Sequence, residues 1–176
     1  MNILLLLKAT ADSEASIRPS ADSKSVNLDN ITWILNPYDE YAVEEALKMR
    51  EADGAGEVFA VSFGGDEVPK VLRTALAMGV DRAVHVKGSL SFDPLATAQV
   101  LAAAIKGMTF DLILCGKQGI DHDHHTVGVM VAELLDIPSV SVVTKIEREG
   151  GKIRCEREVE GGVEIVETTI TRTPRR

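Results

Sequence analysis

A chain of 176 residues, 45% of them hydrophobic, carries enough apolar mass for one complete core, and its length favours a single domain over two. Its 27 acidic and 19 basic side chains leave a formal charge of -8, which repels nucleic acid phosphates and anionic lipid, so a protein or small-molecule partner is expected. The two cysteines, Cys115 and Cys155, have no Cys-x-x-Cys spacing, which argues against a disulfide framework or a zinc finger and fits a cytoplasmic protein.

The apolar run at residues 3–7 is too short to span a bilayer and has no basic region or small-residue cleavage site around it, so it reads as a buried strand. Residues 9–30 form a polar excursion rich in Asp and Ser, and long excursions of this kind in compact domains are often functional. A first helix starts where Asn36 can cap, Pro37 suits the first helical position and Asp39 can reach back toward the cap. It is predicted to run to about Arg50, with Ala42, Ala46 and Met49 facing inward and Trp33 and Tyr38 packing at its entry turn. A strand at 58–62 leads to a helix at 68–78 that stops at Gly79, and a strand at 83–86 holds His85 as a packed or edge histidine. Asp93 and Pro94 repeat the cap signal for a third helix through Leu95, Ala98, Ala102 and Ile105. A strand at 112–115, a helix at 127–136 ending before Pro138, and a strand at 140–144 complete the alternation.

Alternating apolar runs and helices are what a parallel sheet with crossover connections requires, and strands this apolar need helices on both faces. The expectation is therefore an α/β fold with five parallel strands. After Lys145 the texture changes to charged and apolar residues in alternation, with Gly150-Gly151 and Gly161-Gly162 punctuating runs at 152–159 and 163–170, an antiparallel hairpin appended to the core. One domain over 1–176 is expected, with a parallel core to 144 and the hairpin and tail beyond it. No internal repeat is visible.

Ligands of open parallel sheets bind beyond the carboxyl ends of the strands, where loops lead into helix N-termini. Three loops qualify: Lys8-Ala9-Thr10, Phe63-Gly64-Gly65-Asp66, and the segment Gly116, Lys117, Gln118, Gly119, Ile120, Asp121, His122, Asp123, His124, His125, Thr126 and Val127. In the last, the glycines permit close backbone approach, Thr126 is placed to cap the next helix, and exposed amides at that helix start would receive a phosphate. Neither a Walker loop nor G-x-G-x-x-G is present, and an ordinary polar loop is the alternative. The Asp and His residues at 121–125 invite a metal reading, but neighbours in one loop seldom converge on one centre and no downstream ligand completes a set, so no metal is expected. No G-x-S-x-G elbow and no cysteine with a base partner is found, so no catalytic residues are assigned.

Asn36-Pro37-Tyr38-Asp39-Glu40, followed by Ala42-Val43-Glu44-Glu45-Ala46-Leu47, resembles the signature after the first loop of electron transfer flavoprotein β subunits. Arg73-Thr74-Ala75-Leu76-Ala77-Met78-Gly79 with Asp81-Arg82 and His85-Val86 resembles the family's second helix and third strand. Gly116-Lys117-Gln118 with Ile120-Asp121 resembles its nucleotide loop, and Glu156-Arg157-Glu158 with Gly161-Gly162 its hairpin. The resemblance implies a Rossmann-like sheet and a heterodimer with an α subunit that carries the redox flavin, in which the β subunit binds AMP, or FAD in electron-bifurcating relatives, without catalysing a reaction. By this likeness the nucleotide contacts are Ala9, the turn Asn36, Pro37, Tyr38 and Asp39, Phe63, and residues 116–127. The sequence departs from the family where His122, His124, His125 and Thr126 stand, and it stops at Thr171-Arg172-Thr173-Pro174-Arg175-Arg176, where family members continue into a partner-recognition loop and a C-terminal arm. The alternative class is a free-standing, stress-protein-like nucleotide module that forms homo-oligomers through its hairpin edge; a nucleotide-dependent hydrolase or ligase is the third.

Overall fold

The computed structural model describes residues 1–89 and 93–170; the tail residues 171–176 lie outside the described residues. In chain order the first half runs β1 (Ile3–Leu6), β2 (Ala9–Ala11), β3 (Arg18–Pro19), β4 (Val26–Asn27), β5 (Trp33–Leu35), α1 (Pro37–Asp53), β6 (Val58–Gly64), α2 (Val68–Met78) and β7 (Arg82–Lys87). The second half adds α3 (Pro94–Ile105), β8 (Leu112–Cys115), α4 (Val127–Leu134), β9 (Val143–Glu149), β10 (Lys152–Val159) and β11 (Gly162–Thr169).

Four strands form the parallel sheet in the order β7-β6-β1-β8. Period-two alternation along β1 sends Ile3 and Leu5 to one face, where they pack with Val43 and Ala46 of α1 and Val68, Val71 and Ala75 of α2. Leu4 and Leu6 point to the other face, into Ala98, Leu101 and Ile105 of α3 and Val131 of α4. Both faces are thus covered by helices, as the unbroken apolar runs require. The α/β class is as read from the sequence, but the sheet has four strands and not five. The run at 140–144 does not join it: Val142 takes a left-handed φ of 57°, which interrupts extension, and the strand that follows, β9, pairs instead in a three-stranded antiparallel sheet ordered β11-β10-β9. The appended unit is therefore three-stranded and not a hairpin.

Pro37 and Pro94 start α1 and α3 as expected, and the Asp93 carboxylate accepts from the Leu95 N–H at 2.9 Å. α1 runs on to Asp53 and stops at Gly54, whose φ of 66° is open to a residue without Cβ; Gly79 ends α2 the same way at 119°. α4 closes two residues early, with Asp136 in the left-handed region at φ 55° and Ile137 N–H returning to Ala132 O at 3.0 Å. The polar excursion is not structureless: β2 pairs with β5, and β3 with β4, as short antiparallel ribbons. His85 sits half-buried in β7 with Nε2 2.9 Å from Gly64 O. Among the described residues no helix is long and apolar enough to cross a membrane.

Candidate functional site

The chain builds β1, then β6 and β7 to one side, and returns to place β8 on the other side of β1. The strand order therefore reverses between β1 and β8, and the loops leaving their carboxyl ends diverge to leave a crevice. A cleft of about 730 Å³ opens there and runs on along β8 to the antiparallel sheet, where Ile146, Ile153 and Thr168 line it; the volume lies within the roughly 300–1,000 Å³ usual for small-molecule sites. Ala9, Asn36, Tyr38, Asp39 and Phe63 line it, together with Gly116, Lys117, Gln118 and Gly119, and then His124, His125 and Val127. Pro37, Ile120, Asp121, His122, Asp123 and Thr126, which the sequence grouped with them, do not line it.

The first turn of α1 is the hinge of this arrangement. Asn36 does not cap the helix with its side chain; its Nδ2 donates to Gln118 O at 2.8 Å and its Oδ1 accepts from Ile120 N–H at 3.3 Å. The Asp39 carboxylate, beside the Asn36 side chain, makes its short hydrogen bonds beyond the cap. Its two oxygens accept from Lys8 N–H at 2.7 Å and from Gly116 N–H at 2.9 Å. Burial pushes the Asp39 carboxyl up to about 7, although the two N–H donors pull it down. Gly116 lies flat on the helix start: a Cβ there would stand 2.6 Å from Tyr38 C and 2.8 Å from Asp39 N, so only glycine lets the backbones meet.

Residues 119–125 close on themselves. Gly119 N–H donates to His124 O at 3.2 Å, Asp123 N–H to Gly119 O at 3.0 Å, and Gln118 Nε2 to Asp123 Oδ1 at 2.8 Å. Lys8 Nζ pairs with Asp121 Oδ1 at 2.5 Å, and His122 Nδ1 stands 3.3 Å from Asp121 Oδ2. Burial alone raises the Asp121 carboxyl, but Lys8 and His122 outweigh it and hold the group below the usual carboxylate range. The His122 and His124 rings lie 5.6 Å apart. Among the described residues no group of three or more His, Cys, Asp or Glu side chains is placed to hold a metal ion. Thr126 has helical φ and ψ of −105° and −24° and makes no side-chain cap bond, so its expected capping role is corrected. A cap hydroxyl needs an extended backbone to reach the next turn.

Lys8, which the sequence placed in the first of its three loops but not among the nucleotide contacts, is a wall of the cleft, as are Glu67 and Gly128. Lys8 carried a signal, being the cation that directly follows the first strand. Glu67 carried none, since its Oε1 accepts from Gly65 N–H at 2.7 Å through a local turn that composition does not reveal. Lys8 and Lys117 line the cleft beside the first N–H groups of α4, which have no acceptor within the helix; Asp39, Glu44, Glu45, Glu67 and Asp111 line it too, and Lys8 is paired with Asp121. The apolar side chains of Phe63 and Val127 line the same space.

Fold and site together define a doubly covered parallel α/β domain with a cleft at its switch point. Residues 25–174 match the family model of the electron transfer flavoprotein domain. The chain is 44% identical over 173 residues to the electron transfer flavoprotein subunit beta of Bacillus subtilis (strain 168), covering 97% of this chain and 66% of the relative. To the subunit of the same name from Bradyrhizobium diazoefficiens it is 39% identical over 166 residues, covering 94% and 67%. The Homo sapiens subunit is 38% identical over 170 residues, covering 94% and 67%. The chain belongs to the electron transfer flavoprotein family, among the β subunits. It spans about two thirds of the length of the curated relatives it matches.

Proposed function

We propose that the chain is the nucleotide-holding core of an electron transfer flavoprotein β subunit. It keeps AMP, or FAD in its place, as a structural cofactor in the cleft, works in the cytoplasm and pairs with a flavin-carrying α subunit in electron transfer without catalysing a reaction itself. The observation that carries this reading is the convergence of Ala9, Asn36, Tyr38, Asp39 and Phe63 with Gly116 to Gly119, His124, His125 and Val127 on one crevice at the switch point. A chain of net charge -8 repels phosphate at long range, so an anion needs local donors. The amides opening α4, Lys8 and Lys117 supply them, while Phe63 and Val127 offer apolar surface to a purine.

The test is to purify the protein without added nucleotide, denature it and identify the released small molecules by mass, then titrate the stripped protein with AMP and with FAD by calorimetry. Release of either nucleotide, or saturable one-to-one binding, supports the reading. No nucleotide released and flat titrations with both overturn it. Co-migration with a flavin-loaded α subunit on size exclusion tests the pairing, and elution of the two chains apart at micromolar concentration would reject it.

A further inference from the structure

We infer that Asn36 and Asp39 are positioning residues of the cleft: together they lock the turn after β1 and the loop after β8 onto the first turn of α1, so that the walls of the site are set before anything binds. The inference rests on the reading of the cleft as a nucleotide site.

Two side chains three positions apart hold four backbone points. Asp39, 4% exposed, accepts from Lys8 N–H and Gly116 N–H, which lie 31 and 77 positions away along the chain. Asn36, 1% exposed, donates to Gln118 O and accepts from Ile120 N–H, 82 and 84 positions away. Both carboxylate oxygens of Asp39 and both ends of the Asn36 amide are thereby engaged inside the protein. A buried polar group in that state is held in place by its partners. The close seating of Gly116 on Tyr38 and Asp39 leaves no slack that another side chain could take up.

The chemistry also requires a carboxylate. An amide at position 39 has one acceptor oxygen, and its NH₂ would confront the second backbone N–H, so one of the two loops would be released. The charged and titratable groups facing Asp39 are Lys8 from the end of β1 and the Cys115 thiol from the end of β8. Beyond Lys8 stands Asp121, with His122 against it. The charge at position 39 and its clamp predict opposite outcomes for an anionic ligand. Were its negative charge the dominant effect, neutralising it would tighten phosphate binding; as a clamp, its loss must weaken binding.

Calorimetric titration with AMP at pH 8 separates the two. Asp39→Asn and Asn36→Ala are each expected to bind AMP about tenfold or more weakly than the wild type, the loss that one or two such hydrogen bonds convert to. Unchanged or tighter binding in Asp39→Asn overturns the inference. A second readout needs no ligand. In amide hydrogen exchange of the ligand-free wild type at pH 8, the Lys8 and Gly116 N–H groups should be protected, and in Asp39→Asn at least one of them should exchange faster. Lys8 and Gly116 amides that exchange as freely as exposed ones in the wild type overturn the clamp, and this measurement decides alone if Asp39→Asn does not fold. A wild type that takes up neither AMP nor FAD defeats the nucleotide reading, while amide exchange still decides the clamp.

Discussion

The two ends of the parallel sheet use one device, a carboxylate accepting backbone N–H groups, with different results. At the amino end, Asp111 Oδ2 accepts from Asn2 N–H at 2.8 Å, and Asp81 Oδ2 accepts from Val58 N–H at 2.8 Å while Arg50 Nη1 pairs with it at 2.7 Å. Arg82 pairs with Glu57 at 2.7 Å beside them, and the chain's terminal amine donates to Ala55 O at 2.9 Å. These groups stand near water with cations at hand. Burial raises the Asp81 carboxyl, but the Val58 N–H and Arg50 outweigh it and hold the group below the carboxylate range. At the carboxyl end, Asp39 lies in the interior and the nearest ammonium, Lys8, is engaged with Asp121, so burial wins and the carboxyl rises to about 7. At the amino end the carboxylates fasten strand starts beside water; at the carboxyl end one buried carboxylate fastens two loops, and its burial is the cost of fixing the wall of the cleft.

The largest expected effect exploits that opposition in pH. Below about pH 4 Asp39 is protonated whether the chain is folded or not, and its contribution is at its most favourable. As pH rises from about 4 to 7 the unfolded chain ionises while the folded one keeps its proton, so stability is lost across that window and stays lost above it. Each tenfold difference in proton affinity between the folded and unfolded chain is worth about 1.4 kcal/mol, so the loss is on the order of a few kcal/mol. Asp81 works the other way, giving stability above its unfolded pKa that disappears as pH falls through its lowered folded value. Denaturant unfolding at a series of pH values from 4 to 8, in wild type and Asp39→Asn, checks this. The difference between the two curves should change through that window, and parallel curves would refute the contrast between the two ends.

A smaller effect is expected at the amino end. Asp81→Ala leaves the N–H of fully buried Val58 without its acceptor and Arg50 without its partner, a change of about 1–3 kcal/mol in unfolding free energy. AMP affinity should stay within about twofold of wild type, because the lesion is at the opposite end of the strands. Thermal unfolding and calorimetry on the same preparation report both. A nucleotide defect as large as that of Asp39→Asn would mean that the two ends are coupled through the sheet and are not independent.

What could be read from the sequence was what local chemistry decides. Pro37 and Pro94 announced helix starts, Gly79 a helix end, and the leucines of β1 a strand covered on both faces. The failures lie where a side chain serves a distant segment. Asn36 and Asp39 look like a cap pair, and only the fold shows that their hydrogen bonds go to residues 8, 116, 118 and 120. Val140, Val142 and Val143 look like a fifth parallel strand because they are apolar, yet they line the cleft and lead into the antiparallel sheet. A left-handed valine at 142 has no sequence signature. The β2–β5 ribbon was within reach, since Trp33, Ile34 and Leu35 form an apolar run that needed a partner.

The smallest expected effect concerns Thr126, and it sharpens the site. A capping threonine typically costs about 1 kcal/mol when truncated, but the Thr126 hydroxyl makes no cap bond, and Met130 N–H is already satisfied by Thr126 O at 2.9 Å. Thr126→Ala should therefore change stability by less than about 0.5 kcal/mol, as surface substitutions away from special features do. Any fall in AMP affinity in that variant then reports a contact with the ligand and not a weakened helix. Thr126→Asp adds the second half of the argument. A carboxylate at the positive end of α4 gains about 0.3–1 kcal/mol from the helix dipole, yet it competes with a phosphate for the same amides, so the ligand-free protein should melt slightly higher while AMP binds more weakly. Thermal unfolding of the stripped protein and AMP calorimetry measure the two effects separately. A loss above about 1 kcal/mol in Thr126→Ala would show that the hydroxyl caps α4 in solution after all. Equal AMP affinity in wild type and Thr126→Asp would place the phosphate away from this helix start, leaving Lys8 and Lys117 as the donors to remove next.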